Sequence, residues 1–183
     1  ILEALYAQYP DLGVGMEMFS RPYQAILDDW RLGKLSEDSF IARSHWYANW
    51  KFDFALYSPI LAYVRSKSIP LYALNIPFHI PGKIAAGGLD SVLPPDRHFL
   101  PQSVLLDNEA HRQYVRDVFD KHGMARRRYA FEHFYQAQCV WEDIMAESIS
   151  FHLGKQAMVV FVGNGHISHK FGITDRAFIR TRA

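Results

Sequence analysis

Four polar residues stand where short apolar runs stop. They are Glu17 in LGVGMEMF, Asn75 at the end of IPLYALN, and Asn164 and His166 in the GNGH that follows AMVVFV. If those runs are parallel strands, their carboxyl ends share one side of a sheet, where open α/β sheets bind ligands. A carboxylate, two amides and an imidazole placed there could hold a metal ion, move a proton or orient a polar substrate. Each residue also has a plainer reading. Glu17, between Met16 and Met18, is costly to bury alone and could cap amides of the helix that follows. Asn75, before Ile-Pro, suits a turn. His166 sits on glycines that allow close backbone approach, and His169 reads as a surface residue.

A fourth wall comes from RYAFEHFYQAQCVWEDIMAESISFHL, residues 128–153, the most strongly helical stretch. Phe131, Phe134, Gln138, Trp141 and Met145 form its inner stripe. Tyr135, Gln138, Glu142 and Ala146 run beside them, which puts a phenol, an amide and a carboxylate on one flank; a solvated flank is the equal alternative. Cys139 lies mid-helix with no base indicated. There is no phosphate-binding glycine loop, no HExxH, no G-x-S-x-G and no cysteine pair.

The elements that must position these residues follow from the apolar pattern. A helix over residues 1–9 precedes a strand over 12–19. Helices follow from Ser20, where Pro22 sits near the first turn, from Ser36, and from about Pro59 to Ser66. A strand over 69–77, a Pro- and Gly-rich stretch, a polar helix over 107–122 capped by Asp107, the long helix and a strand over 157–162 complete the order. The last strand is apolar throughout, in the way of a strand covered on both faces. This order predicts an α/β fold with a central, mainly parallel sheet flanked by helices. Residues 78–127 read as an inserted helical subdomain, and AFIRTRA as a last strand cut early.

Composition narrows the function. With 20 basic and 19 acidic residues, a net charge of +1 and one cysteine, nothing draws the chain to nucleic acid and no intrachain disulfide can form. Arg126-Arg127-Arg128 reads as a solvated helix junction. No apolar run approaches the ~20 residues of a membrane-spanning helix. The chain opens inside an amphipathic pattern, as if entered in mid-fold, so a single domain over 1–183 would be incomplete at its N-terminus.

LGVGMEMFSRPYQAILDDW, YALNIP, QAQCVWEDIMAESI and VGNGHISHKFGI, in that order, resemble the ChaN-like family of iron-regulated haem-binding lipoproteins. That family is related to the erythromycin esterases and TraB/Tiki proteins. The resemblance implies the EreA/ChaN-like α/β fold and a non-catalytic haem-binding protein of bacterial iron uptake. It implies haem held by a tyrosine, with Tyr135, Tyr129 and Tyr114 as candidates, since phenolate suits ferric iron. It further implies a homodimer formed on haem binding and export to the periplasm or outer membrane through a lipid on a missing N-terminus. Glu17, Asn75, Gln138, Glu142, Asn164 and His166 would line the pocket. Within the wider group, Glu17 matches an acidic position and Gly163–His166 a G-x-x-H block, so a metal-dependent hydrolase using Glu17, His166 and a divalent metal is the alternative. The group's first G-x-x-H block has no counterpart in these residues.

Overall fold

A computed structural model describes residues 1–121, 130–154 and 156–182. Tyr129 and Arg126-Arg127-Arg128 lie outside the described residues. The chain divides into two compact units, Ile1–Asn75 with Phe151–Val162 and Ile76–Ser150 with Gly163–Ala183. The stretch read as an insertion, 78–127, falls within the second.

The first unit holds the sheet. Its elements are α1 (Leu2–Gln8), β1 (Gly13–Ser20), α2 (Gln24–Arg31), α3 (Glu37–Arg43), the single turn α4 (Trp46–Asn49), α5 (Ser58–Ser66), β2 (Leu71–Asn75) and β3 (Met158–Phe161). Among the described residues the sheet has three strands in the order β2–β1–β3, all parallel. Val14 pairs with Leu71 on one side and Val159 on the other. Parallel neighbours need crossover segments, and α2–α5 supply the one between β1 and β2. Every β1 residue is buried, as a central strand with both faces covered requires. β3 departs from the expectation of a strand covered on both faces. All its residues are only half-buried, because it stands at an edge of the described sheet.

The other edge is closed by a side chain. Gln24 at the start of α2 donates to the carbonyl of Leu71 at 2.8 Å and accepts from the amide of Ala73 at 2.9 Å. Its carboxamide thus satisfies β2 as a neighbouring strand would, and blunts an edge that would otherwise template further pairing. Under the sheet, Trp30, Phe40, Trp46, Phe19 and Phe54 pack with ring centroids 4.6–6.1 Å apart. The indole N–H groups are satisfied, Trp30 by the carbonyl of Leu61 and Trp46 by that of Phe52, as buried amphipathic rings require. Ser36 caps α3 as expected, accepting from the Ser39 amide. Ser20 makes no such cap; a 3₁₀ turn at Arg21–Tyr23 holding Pro22 leads into α2 instead.

The second unit is helical, with α6 (His79–Gly87), α7 (Glu109–Lys121), the part of α8 (Phe131–Leu153) up to Ser150, a 3₁₀ turn at Asn164–His166 and α9 (Ile173–Arg182). Asn108, one residue beyond the expected Asp107, caps α7 by accepting from the His111 amide at 3.0 Å. Of the segment expected as a strand, AFIRTRA, residues 177–182 lie in α9. Helical spacing brings Arg176 and Arg180, four residues apart, to the two oxygens of Asp143; in a strand the same two positions would share a face but stand about 13 Å apart. Val115, Phe119, Phe131, Tyr135 and Cys139 form this unit's apolar cluster. Among the described residues no helix is long and apolar enough to cross a membrane.

Candidate functional site

The second unit buries a set of ionisable side chains around one carboxylate. Glu142 and Asp143, adjacent on α8, are both fully buried. Gln138, one turn earlier, donates to Glu142 Oε1 at 2.7 Å and lies 3.1 Å from His166 Nδ1. His166 Nδ1 is 3.3 Å from the same oxygen. The other oxygen, Oε2, faces α7 and α9: His111 Nε2 lies 3.0 Å away, off the line of a good hydrogen bond, and Arg176 Nε donates at 3.3 Å. Arg176 also reaches Asp143, the carbonyl of Leu105 and the Cys139 sulfur.

Burial alone would push the Glu142 carboxyl up. The imidazoles of His111 and His166 beside it outweigh that effect and hold the group down at about 2. Glu142 is therefore an anion at all physiological pH. Two carboxylates and two guanidiniums, those of Arg176 and Arg180, balance within the cluster, which is how buried charges are tolerated. Gly172 makes room for them. Its φ is +71°, and a Cβ there would lie 2.6 Å from the His166 carbonyl and 2.7 Å from Glu142 Oε1, so only glycine satisfies both backbone and space.

His166 and Gln138 form the polar floor of a cavity of about 140 Å³, walled by Tyr114, Val115, Val118 and Phe134. Tyr114 is half-buried, and its ring meets His169 and Phe171 at 5.7 and 6.3 Å between centroids. Tyr135 is placed differently. It is 1% exposed, stacks on Phe131 and turns its hydroxyl toward the carbonyl of Asn108. Burial pushes its phenol well above the ordinary range, with Cys139 adding to the effect. Tyr135 thus belongs to the apolar cluster, and the flank it shares with Glu142 and Ala146 is buried rather than solvated. Cys139, pushed up to about 12 by burial, is a thiol at neutral pH.

The remaining strand-end residues are accounted for within their own units. Glu17 and Asn75, both buried, lie in the first unit, where Asn75 Nδ2 donates to the Glu17 carbonyl at 2.8 Å and ties β2 to β1. Asn164 is exposed and its carbonyl accepts from Ser168. Among the described residues no group of three or more His, Cys, Asp or Glu side chains is arranged to hold a metal ion. Four residues of the cluster escaped the sequence reading: His111, Asp143, Arg176 and Arg180. Only His111 left a signal, since it falls on the stripe His111–Val115–Phe119 that α7 buries.

The family model for haem-binding uptake proteins of the Tiki superfamily, ChaN, matches residues 1–177. The chain belongs to the ChaN family. A solved ChaN from Campylobacter jejuni, described as showing cofacial haem binding, superposes with a TM-score of 0.72 at 14% sequence identity, spanning all of this chain and 68% of that one. At that identity the superposition shows a ChaN fold. A comparison with curated protein sequences finds no match. In a ChaN chain the group to test against these side chains is haem. The donor set fits: Tyr114 has a phenol oxygen, and phenolate is a ligand that ferric haem accepts, beside apolar and aromatic walls suited to a porphyrin edge. Tyr135 offers neither access nor an easily formed phenolate.

Proposed function

We propose that this protein binds haem for bacterial iron uptake without catalytic turnover, and that Tyr114 is the iron ligand. Family membership supports the ligand class. The single observation that carries the residue is that Tyr114, half-buried, is the tyrosine that lines the 140 Å³ cavity. Haem, when bound, supplies the iron that is carried. The chain's part is to give it a phenolate oxygen, to cover one edge with Val115, Val118 and Phe134, and to keep the polar floor of Gln138 and His166 fixed through Glu142. A cavity of this volume holds only a fraction of a porphyrin, so most of the group lies outside it. A second copy of the chain covering that exposed face accords with the cofacial binding described for the Campylobacter jejuni relative. Export and a lipid anchor belong to the same proposal.

Haemin titration followed by absorbance, with sedimentation of the free and loaded protein, tests this. The expected result is a saturable Soret shift and a rise in mass on loading. An unchanged Soret band at micromolar haemin would remove the haem claim, and a loaded monomer would remove the dimer.

A further inference from the structure

The first unit holds a cavity of its own, of about 460 Å³, lined by Arg31, Leu32, Arg65 and Ser68 among others. The two helices beside it, α2 and α5, end alike. Gly33 and Ser68 turn left-handed, with φ +72° and +52°. Their amides donate to the carbonyls of Trp30 and Arg65, and the next amides, of Lys34 and Ile69, to those of Asp29 and Val64. Backbone thus satisfies these helix-end carbonyls. Each end also lends the other an arginine: Arg31 donates to the Ser68 carbonyl at 3.3 Å and Arg65 to the Gly33 carbonyl at 3.4 Å. We infer that Arg31, Arg65 and Ser68 form a binding site for a small phosphomonoester, its phosphate held by the two guanidiniums and the hydroxyl.

Three observations carry it. The arginines have donors to spare. Each spends a single N–H on a carbonyl, and neither pairs with a carboxylate among the described residues, so the rest of each fork is open to a ligand. The acids nearby in sequence are held elsewhere: Asp28 by Gln24, Asp29 by Lys34 and Arg43, and Glu37 by the Ser58 hydroxyl. Arg65 lies over the Trp30 ring, 4.7 Å from its centroid, which steadies the guanidinium without using a donor. The second observation is Ser68 itself. Its left-handed backbone strains a serine where glycine, as at position 33, would sit freely. What the serine adds is a hydroxyl, and that hydroxyl has no partner among the described residues. The third is charge and room. Two guanidiniums against the one carboxylate of Glu37 leave the lining positive, and planar forks match the several oxygens of a phosphate. Leu32 and Ala62, both exposed, line the remainder, which suits a small uncharged organic substituent.

Amide NMR titration tests the site without haem. Glycerol 3-phosphate, inorganic phosphate, glycerate and chloride are added separately at matched ionic strength, and the Gly33 and Ser68 amides are followed. The expected result is a saturable shift with glycerol 3-phosphate, a weaker one with inorganic phosphate, and none with chloride. No saturable shift, or the same shift with chloride, overturns the site. Glycerate binding as tightly as glycerol 3-phosphate overturns the phosphate, and inorganic phosphate binding as tightly overturns the organic substituent. Arg31→Gln and Arg65→Gln should each weaken glycerol 3-phosphate binding about tenfold or more. Ser68→Gly guards against variants that fail to fold, because glycine relieves the left-handed turn. It should raise the melting temperature and yet weaken binding about three- to tenfold. A raised melting temperature with unaltered affinity would show that Ser68 serves the turn alone, and would overturn the site as drawn.

Discussion

Replacing Glu142 with Gln keeps the shape of the side chain and removes its charge, and the structure fixes what acid should then do. The Glu142 carboxyl is held at about 2 in the folded chain against an ordinary value of 4.5. A carboxyl depressed on folding stabilises the protein above its unfolded value and loses that contribution as pH falls toward the folded one. The interval corresponds to about 3 kcal/mol, fully present above pH 4.5, and about 2 kcal/mol of it is gone by pH 3. Urea unfolding followed by circular dichroism, at near-neutral pH and at pH 3, measures this as a double difference. Other carboxylates titrate in both proteins and cancel. The wild type should lose about 2 kcal/mol more than Glu142→Gln between the two conditions. An equal loss in both proteins would refute the claim that His111 and His166 hold Glu142 ionised in the core.

Gly172→Ala places a side chain at φ +71° against Glu142 and the His166 carbonyl. It should cost at least about 1 kcal/mol and lower the melting temperature by about 2–4 °C for each kcal/mol lost, and an unchanged melt would mean the turn is not held as described. Arg176→Met strips a cation from two buried carboxylates and should cost about 3–5 kcal/mol in chemical denaturation; a loss under 1 kcal/mol would show that Arg180 alone neutralises them.

The sheet was legible because strands buried on both faces leave apolar runs, as β1 does, and because helices between them force parallel pairing. β3 read as fully covered since composition carries no record of which strand stands at an edge. α9 misread as a strand for a related reason: its arginines look like surface residues until Asp143 is known to lie opposite. His166, Gln138 and Glu142 were found from strand-end position and helix spacing, which are local. Their partners on α7 and α9 are His111, 31 residues before Glu142, and Arg176, 34 residues after it, and no spacing rule links such positions. The tyrosines show the same limit. Tyr135 and Tyr114 both sit on amphipathic helices, and only packing separates a phenol sealed against Phe131 from one that lines a cavity.

The most direct test of the central claim compares Tyr114→Phe with Tyr135→Phe in haemin titrations. Loss of the Soret shift in Tyr114→Phe, with binding retained in Tyr135→Phe, is the predicted result. Wild-type binding by Tyr114→Phe would contradict it.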